Sequence, residues 1–445
     1  MRKGAAAAWA VLGTGALLII LGMAYGTVRI SAPGMEIDVT SLTLPHSESR
    51  APASCIHDGR VYIAYERASV NGIDIMVAEI AEGKVVDEDV ASAHTGDNKN
   101  PFLLSWAGAL CLLWDTKDPL TQGMDRDIAL RTFDGVRWSD VMDLSSSSSG
   151  ESSEDSSPRG VSVGPELHVV WESGTSVLHR IVRPGGAGQQ YEIGTGWGPD
   201  IDALNGVVYA AWTTYPATGT SVLLREYQDE AWMDEVVSLN PNQDALDYSP
   251  SMEAFQGRLY IAWVTKDKEI SAGTGDDDVV VRSYDPSRGA LTEPLAWSPV
   301  VDLSSSEEDW DGWPFLRARS NALVAVWQTW DLETNDGNQG DDLVMRSLVQ
   351  DWGEMRGAVE TARQCGDIYE QGFSAVSHGD GLYIFFQSRE HKRSGSDWEV
   401  WMASWRTVTY EGEALNPYAL GSIFTGSALA VGALAFLAKL RGRRG

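Results

Sequence analysis

Leu259-Tyr260-Ile261-Ala262-Trp263 is a short apolar run that ends in an aromatic residue, and the chain returns to it again and again. Its counterparts are Val61-Tyr62-Ile63-Ala64-Tyr65, Leu110-Cys111-Leu112-Leu113-Trp114, Leu167-His168-Val169-Val170-Trp171, Val207-Val208-Tyr209-Ala210-Ala211-Trp212, Leu323-Val324-Ala325-Val326-Trp327 and Leu382-Tyr383-Ile384-Phe385-Phe386. The spacing averages roughly 53 residues, a period at which each unit buries its apolar face only by stacking on its neighbours.

Four strand-like runs fill each period. In the second they are Phe102 to Trp106, Leu110 to Trp114, Ile128 to Phe133 and Trp138 to Leu144, broken by Gly, Asp and Asn. Short β-branched and aromatic runs between turn residues read as antiparallel strands. With a recurring Trp to wedge between units, this predicts an all-β fold, a seven-bladed β-propeller of four-stranded antiparallel blades. The seventh unit lacks a fourth strand of its own. Residues 35–43, Met35-Glu36-Ile37-Asp38-Val39-Thr40-Ser41-Leu42-Thr43, resemble the fourth strands elsewhere and are expected to close that blade.

Two uncharged runs flank the repeats. Ala5 to Val28 follows Arg2-Lys3, and Ala419 to Ala438 precedes Lys439, Arg441, Arg443 and Arg444. Each is long enough to cross a bilayer, and the basic flanks place both outer ends in the cytoplasm. The expected organisation is a signal peptide or signal-anchor helix over 1–29, an extracytoplasmic propeller over 30–411, a linker over 412–418, a transmembrane helix over 419–438 and a basic tail over 439–445. Gly22-Met23-Ala24 offers a cleavage site if the first run is a signal peptide.

The chain carries 63 acidic and 34 basic residues. Seven of the bases (Arg2, Lys3, Arg29, Lys439, Arg441, Arg443 and Arg444) lie in or beside the two ends, which leaves 27 bases against 63 acids between them, a net of −36. Such a field argues against nucleic acid and anionic lipid as partners of the ectodomain, and for cations, basic ligands or a salty milieu. Three cysteines are too few for a disulfide scaffold. Cys111 reads as core, and closure of the ring would bring Cys55 near Cys365.

Loop length separates two faces. One carries short turns such as His57-Asp58-Gly59, Asn205-Gly206 and Gln256-Gly257. The other carries long acidic loops, including Asp115 to Asp127, Lys266 to Asp278 and Asp331 to Asp342. Long loops on a rigid scaffold are where binding usually resides. Asn98, Asp155, Asp247 and Asp311 each stand three residues ahead of a proline that opens an inner strand. They are the candidate ligand-binding residues if their side chains gather at the channel mouth, and turn formers if they do not. Asp336, Asn338, Asp341 and Asp342, with Asp276 and Asp277, have the oxygen donors and glycines that calcium favours, without EF-hand spacing.

Ser49-Arg50-Ala51-Pro52, followed by Gly72-Ile73-Asp74-Ile75, resembles the opening of sialidases. Thr132-Phe133-Asp134-Gly135-Val136-Arg137-Trp138 resembles a shortened Asp-box, the Ser-x-Asp-x-Gly-x-Thr-Trp turn of that superfamily. The resemblance implies a carboxylate-binding role for Arg50 and an acid/base role for Asp74. It also implies a nucleophilic tyrosine near Gly372-Phe373-Ser374, where phenylalanine stands instead, with Tyr369 the nearest substitute. Arg131, Arg180, Arg225, Arg282 and Arg346 recur at one strand position, and Asp127, Asp278 and Asp342 share the slot of Asp74, which marks both sets as structural repeats. The function expected is a non-catalytic surface module that binds glycan or an envelope protein on its acidic long-loop face. The alternatives are a sialidase-like hydrolase or lyase and a structural spacer.

Overall fold

A computed structural model describes residues 27–43, 47–92, 96–117, 125–145, 154–215, 220–240, 242, 245–270, 275–304, 310–330, 342–348, 356–357, 368–379, 381–388 and 398–415. They are almost entirely β. The strands are β1 (Thr27–Ser41), β2 (Ser49–His57), β3 (Arg60–Ser69), β4 (Gly72–Ala81), β5 (Lys84–Val90), β6 (Asp97–Trp106), β7 (Ala109–Lys117), β8 (Asp127–Phe133), β9 (Met142–Asp143), β10 (Asp155–Val163), β11 (Glu166–Ser173), β12 (Ser176–Arg183), β13 (Gly186–Thr195), β14 (Trp197–Leu204), β15 (Val207–Thr213), β16 (Val222–Gln228), β17 (Ala231–Ser238), β18 (Asp247–Phe255), β19 (Arg258–Thr265), β20 (Asp278–Tyr284), β21 (Val301–Asp302), β22 (Trp310–Arg319), β23 (Ala322–Trp330), β24 (Asp342–Leu348), β25 (Arg356–Gly357), β26 (Ile368–His378), β27 (Gly381–Ser388) and β28 (Glu399–Leu415).

These strands pair as antiparallel meanders: β10 to β13, β14 to β17, β18 to β21 and β22 to β25, with β26, β27, β28 and β1 making another in that order. The groups β2 to β5 and β6 to β9 form one larger sheet, joined by a single parallel bridge between Ile73 and Asp97. The first strands β2, β6, β10, β14, β18, β22 and β26 pack in succession, and β26 packs back onto β2. That arrangement, with first strands around a common axis and meanders radiating outward, is a β-propeller.

Residues 37–406 form one compact unit, and both chain ends, 1–36 and 407–445, form another. Within the first, Leu42 N–H donates to Val400 O at 2.9 Å and the Val400 N–H donates to Thr43 Oγ1 at 3.0 Å, so the chain's beginning and end share a sheet. Strand β1 starts at Thr27 and β28 runs to Leu415, inside the spans read as membrane segment and linker. No helix among the described residues is long and apolar enough to cross a membrane. The hydrophobic runs themselves, except Thr27 and Val28, lie outside the described residues.

Each apolar core is shared by two consecutive sheets and closed by the strand-ending aromatic of the later one. Trp114 packs with Ala64 and Ile75, Trp171 with Leu113 and Ile128, Trp263 with Leu224, and Trp327 with Val281. Tyr65 packs with Phe385 and Met402, which joins the last sheet to the first. All these aromatics are essentially without solvent exposure. Full burial of rings this large makes the inter-sheet seams the main store of hydrophobic stability.

Recurring polar contacts fix the same seams. Arg131 donates to Ser139 O and, across the seam, to Ala91 O; Arg225 spans Met233 O and Ile193 O; Arg282 spans Ser298 O and Leu239 O. These guanidiniums tie the third and fourth strands of one sheet to the last strand of the sheet before it. Burial lowers the pKa of Arg131 and Arg282 from the ordinary arginine value. The hydroxyls of Ser92, Ser145 and Ser304, each just after a fourth strand, accept the N–H of Ile75, Ile128 and Val279.

The four Asp and Asn residues ahead of the prolines are buried in their own sheets. Asn98 accepts from the Trp114 indole at 3.0 Å and from Thr116 Oγ1 at 2.7 Å. Asp247 accepts from Trp263 at 3.2 Å, Thr265 at 2.5 Å and Asn240 at 3.1 Å, and Asp311 accepts from Trp327 at 2.9 Å. Asp155 sits among Ser173, Ser145 and Trp171, and burial pushes its carboxyl up to about 6. Replacing Asp247 by Ala leaves the Trp263 indole and two further donors without this acceptor. The expected loss is about 1–3 kcal/mol per orphaned donor in urea denaturation of the full chain, and an unchanged midpoint would contradict this role.

Candidate functional site: the channel and its long-loop mouth

A cavity of about 710 Å³ runs down the axis, walled by β2, β6, β10, β14, β18, β22 and β26. An innermost strand has a ladder partner on one edge only, so the N–H groups of its channel edge need acceptors from elsewhere. Side chains of the preceding first strand provide them. Asp200 accepts Met252 N–H at 2.7 Å, Asp202 accepts Ala254 N–H at 2.6 Å, Ser251 Oγ accepts Leu316 N–H at 3.1 Å and Glu253 accepts Ala318 N–H at 3.0 Å. Arg317 continues the chain, with Glu253 at 3.4 Å on one side and Ala375 O at 2.9 Å on the other.

Burial raises the pKa of Asp200. Burial, with the Glu253 carboxylate next in effect, pushes Asp202 up to about 7. These acids are wetted by the channel yet enclosed by protein, so their charge is poorly solvated. Their first role is structural.

One end of the channel is shaped by a repeated kink. Ala51, Asn100, Ser157, Gly198, Ser249 and Trp313 stand immediately before a proline, and all have positive φ, between 45° and 57°. The ladder register shifts at each of these places, so every such strand carries a bulge at the same height. Left-handed backbone costs a non-glycine residue roughly 1–2 kcal/mol. Here it turns an N–H toward the preceding sheet. Gln387 accepts from Ala51, Glu66 from Asn100, Asp115 from Ser157, Glu172 from Gly198 and Thr213 from Ser249. Each acceptor directly follows its strand's terminal aromatic. Val264 fills that place in the fifth unit and has no polar atom in its side chain to offer.

The mouth is uneven because the residues around these kinks differ. On β14, β18 and β22 they are aromatic. Trp197 stacks on Tyr248 with ring centroids 6.4 Å apart, the Trp310 indole hydrogen-bonds Tyr248, and Trp310 lies 4.8 Å from Trp313. All four rings are partly exposed. Asp277 accepts from the Tyr248 hydroxyl and pairs with Lys266 Nζ at 2.9 Å. Burial and then the Asp277 carboxylate raise the Tyr248 pKa. Glu172 lines the adjoining wall. The opposite sector is polar and self-satisfied: Asn100 donates to Asp115 at 2.6 Å, and Arg126 bridges Asp115 at 2.6 Å and Asp97 at 2.5 Å. Burial raises the pKa of both Glu66 and Asp115.

Of the residues singled out in the sequence, Asn98, Asp155, Asp247 and Asp311 do not gather at this mouth. The indoles of Trp114, Trp263 and Trp327 hold Asn98, Asp247 and Asp311 inside their sheets, and Asp155 is buried beside Ser145, Ser173 and Trp171. Arg50 is half exposed and pairs with Glu48 at 3.2 Å. Asp74 lies on β4, opposite Arg67 on β3, so two strand spacings, about 9–10 Å, separate its strand from that of Arg50. Phe373 lines the cavity, 6.3 Å from Phe315, and the side chain of Tyr369 lies outside the described residues. The shortened Asp-box folds as a turn in which Asp134 accepts the N–H groups of Val136 and Arg137.

The proposed calcium ligands Asp336, Asn338 and Asp341 lie outside the described residues, and Asp342 opens β24. Asp277 is already engaged by Tyr248 and Lys266. Among the described residues no three acidic, histidine or cysteine side chains are placed to hold a metal ion. Cys55 is a free, buried thiol in the same core as Ala64 and Trp114. Cys365 lies outside the described residues.

The aromatic arc was missed in the sequence because Trp197, Tyr248, Trp310 and Trp313 sit at three different offsets from their prolines. Only the bulges bring them to one height.

Asp202 supplies a pH test. With a folded pKa near 7 and an ordinary one near 3.8, it destabilises the fold increasingly as pH rises between those values, and fully above them. Asp202→Asn is expected to raise the melting temperature relative to the parent at pH 8 and to lose that advantage by pH 4. A difference that does not vary with pH would contradict the shifted carboxyl.

No family model and no curated protein matches this chain. Among solved structures it is similar to an α-L-arabinanase of Penicillium chrysogenum complexed with arabinobiose (14% identity, 85% of this chain, 97% of the other, TM-score 0.43). It is also similar to a leech intramolecular trans-sialidase (12% identity, 72% and 69%, TM-score 0.42) and to the intramolecular trans-sialidase of Ruminococcus gnavus (11% identity, 63% and 89%, TM-score 0.42). Likenesses this distant carry no argument about the site, and the propeller reading rests on the sheet order and the ring of first strands.

Proposed function

We propose that this chain is a seven-bladed propeller that binds a glycan, without cleaving it, on the aromatic sector of its long-loop mouth. Its hydrophobic ends hold it at a cell membrane with the propeller outside the cytoplasm. The observation that carries the reading is the arc Trp197, Tyr248, Trp310 and Trp313, flanked by Glu172, Asp277 and Lys266. Flat, partly exposed rings offer apolar faces to the C–H faces of a sugar, and the polar groups at their edges can take its hydroxyls. A hydrolase of sialidase type needs its arginine and acid/base carboxylate around one sugar, whereas Arg50 is paired with Glu48 and Asp74 stands two strands away from it on β4.

Binding of the full chain in detergent to a glycan microarray, followed by titration of the best ligand, tests this. Trp313→Ala and Trp197→Ala are each expected to weaken binding about tenfold, about 1.4 kcal/mol. Unchanged affinity in both would sink the reading, and capture of an envelope protein in place of any glycan would replace the ligand class.

The Tyr248–Asp277 contact favours one second reading. A nucleophilic tyrosine needs a carboxylate at its hydroxyl. If the chain hydrolyses a fluorogenic sialoside panel, Tyr248→Phe should abolish turnover, and absence of turnover in the parent excludes the hydrolase.

A further inference from the structure

The seam between the β10–β13 and β14–β17 sheets breaks the repeat with two histidines. Three residues before the strand-ending aromatic, most units place Tyr62, Tyr209, Tyr260 or Tyr383, whereas the third places His168. On the third strand, just before the recurring arginine, Leu130, Leu224, Val281 and Met345 are apolar, whereas the third unit places His179. The two rings stack with centroids 5.3 Å apart and are almost wholly buried. Tyr227 packs against both at 5.2 and 5.4 Å, and Trp232 meets His179 edge-on at 5.0 Å.

The protons of this cluster can be assigned by elimination. An indole N–H only donates, so His179 Nδ1, 3.1 Å from Trp232 Nε1, must be an acceptor. The neutral His179 then carries its proton on Nε2, which faces His168 Nδ1 at 3.1 Å. His168 Nδ1 therefore accepts, and the proton of His168 sits on Nε2, 3.4 Å from Glu166 Oε2. The order Trp232, His179, His168, Glu166 is a one-way relay of donors in which both histidines are neutral. A proton added to either Nδ1 sets two N–H groups against each other and buries a cation.

Few charges nearby can offset this. On β11, Glu166 faces His168, but Arg183 of β12 already holds Glu166 at 2.5 Å. Tyr191 of β13 approaches His179 at 6.4 Å, and Glu230 in the β16–β17 turn lies near Tyr227. Burial accordingly pushes His179 down to about 3 and lowers His168.

We propose that the His168–His179 relay is an acid-sensitive latch, which holds this seam closed at neutral pH and releases it when the histidines take up protons. Release would loosen the seam between the β10–β13 sheet and the sheet that contributes Trp197 to the channel mouth, so the latch links acidity to the mouth without depending on what binds there.

The sign follows from the lowered pKa values. Below pH 6.5 the unfolded chain binds protons that the folded cluster refuses, so stability is present above that pH and falls as pH drops through it. The ratio of folded to unfolded chain decreases about tenfold per pH unit per histidine. Melting of the full chain between pH 8 and 5 is compared with that of H168Y/H179L, which restores the residue types of the other units. The parent should lose stability toward pH 5 and the double variant should lose markedly less; parallel profiles would overturn the latch. Should the double variant not fold, hydrogen–deuterium exchange at the imidazole C2 of the parent decides. His179 is expected to titrate far below the ordinary histidine value of 6.5, toward about 3, and a midpoint near 6.5 would overturn the proposal.

Discussion

The unpaired edge of each innermost strand is the constraint from which most of the molecule follows. The first strands converge on one axis, and each leaves a row of N–H and C=O groups with no ladder partner. A channel wide enough to hold water could solvate them. The chain instead reaches across the gaps with side chains, Asp200 and Asp202 to β18, Ser251 and Glu253 to β22, and Arg317 to β26. That solution makes the channel acidic and keeps its carboxyls poorly solvated, so a raised acid here is not by itself a sign of chemistry. The kinked Pro-led entries do the same at the mouth, where Gln387, Glu66, Asp115, Glu172 and Thr213, each just after a terminal aromatic, accept the turned N–H.

Much of this was legible in the sequence, and for a physical reason. A repeat forces each structural role to recur at a fixed offset, so the four-stranded meanders, the shared cores and the structural role of the recurring arginines could be read from spacing alone. Reading Arg131, Arg225 and Arg282 as structural followed from their recurrence, and each does bridge two sheets. The same logic applies to Asp127 and Asp278, which each accept a serine hydroxyl at the head of a third strand.

Less legible was anything that depends on where a side chain points. Asp155, Asp247 and Asp311 were candidates for the channel because they precede the strands that line it, and a carboxylate looks functional in a list of residues. What spacing does not reveal is that the indole sixteen residues further along needs a buried acceptor. By accepting from Trp263 and Trp327, Asp247 and Asp311 spare each indole N–H the cost of being buried without a partner. The aromatic arc was hidden for the complementary reason, since a bulge moves side chains between faces and sequence offset stops reporting height.

Departures from the repeat are therefore more informative than its matches, because a scaffold position filled by an atypical residue no longer has a scaffold explanation. Val264 surrenders a seam acceptor beside the most aromatic sector of the mouth, and Phe373 places a ring in the channel where a hydroxyl would serve chemistry. His168 and His179 replace a tyrosine and an aliphatic residue whose packing needs no defined proton. Two imidazoles in that space are sound only while neutral and only in one tautomer each, with Trp232 setting the direction. Packing alone would be served better by the residues of the other units, so the pair adds a dependence on protons opposite in sign to that of the raised channel carboxyl Asp202.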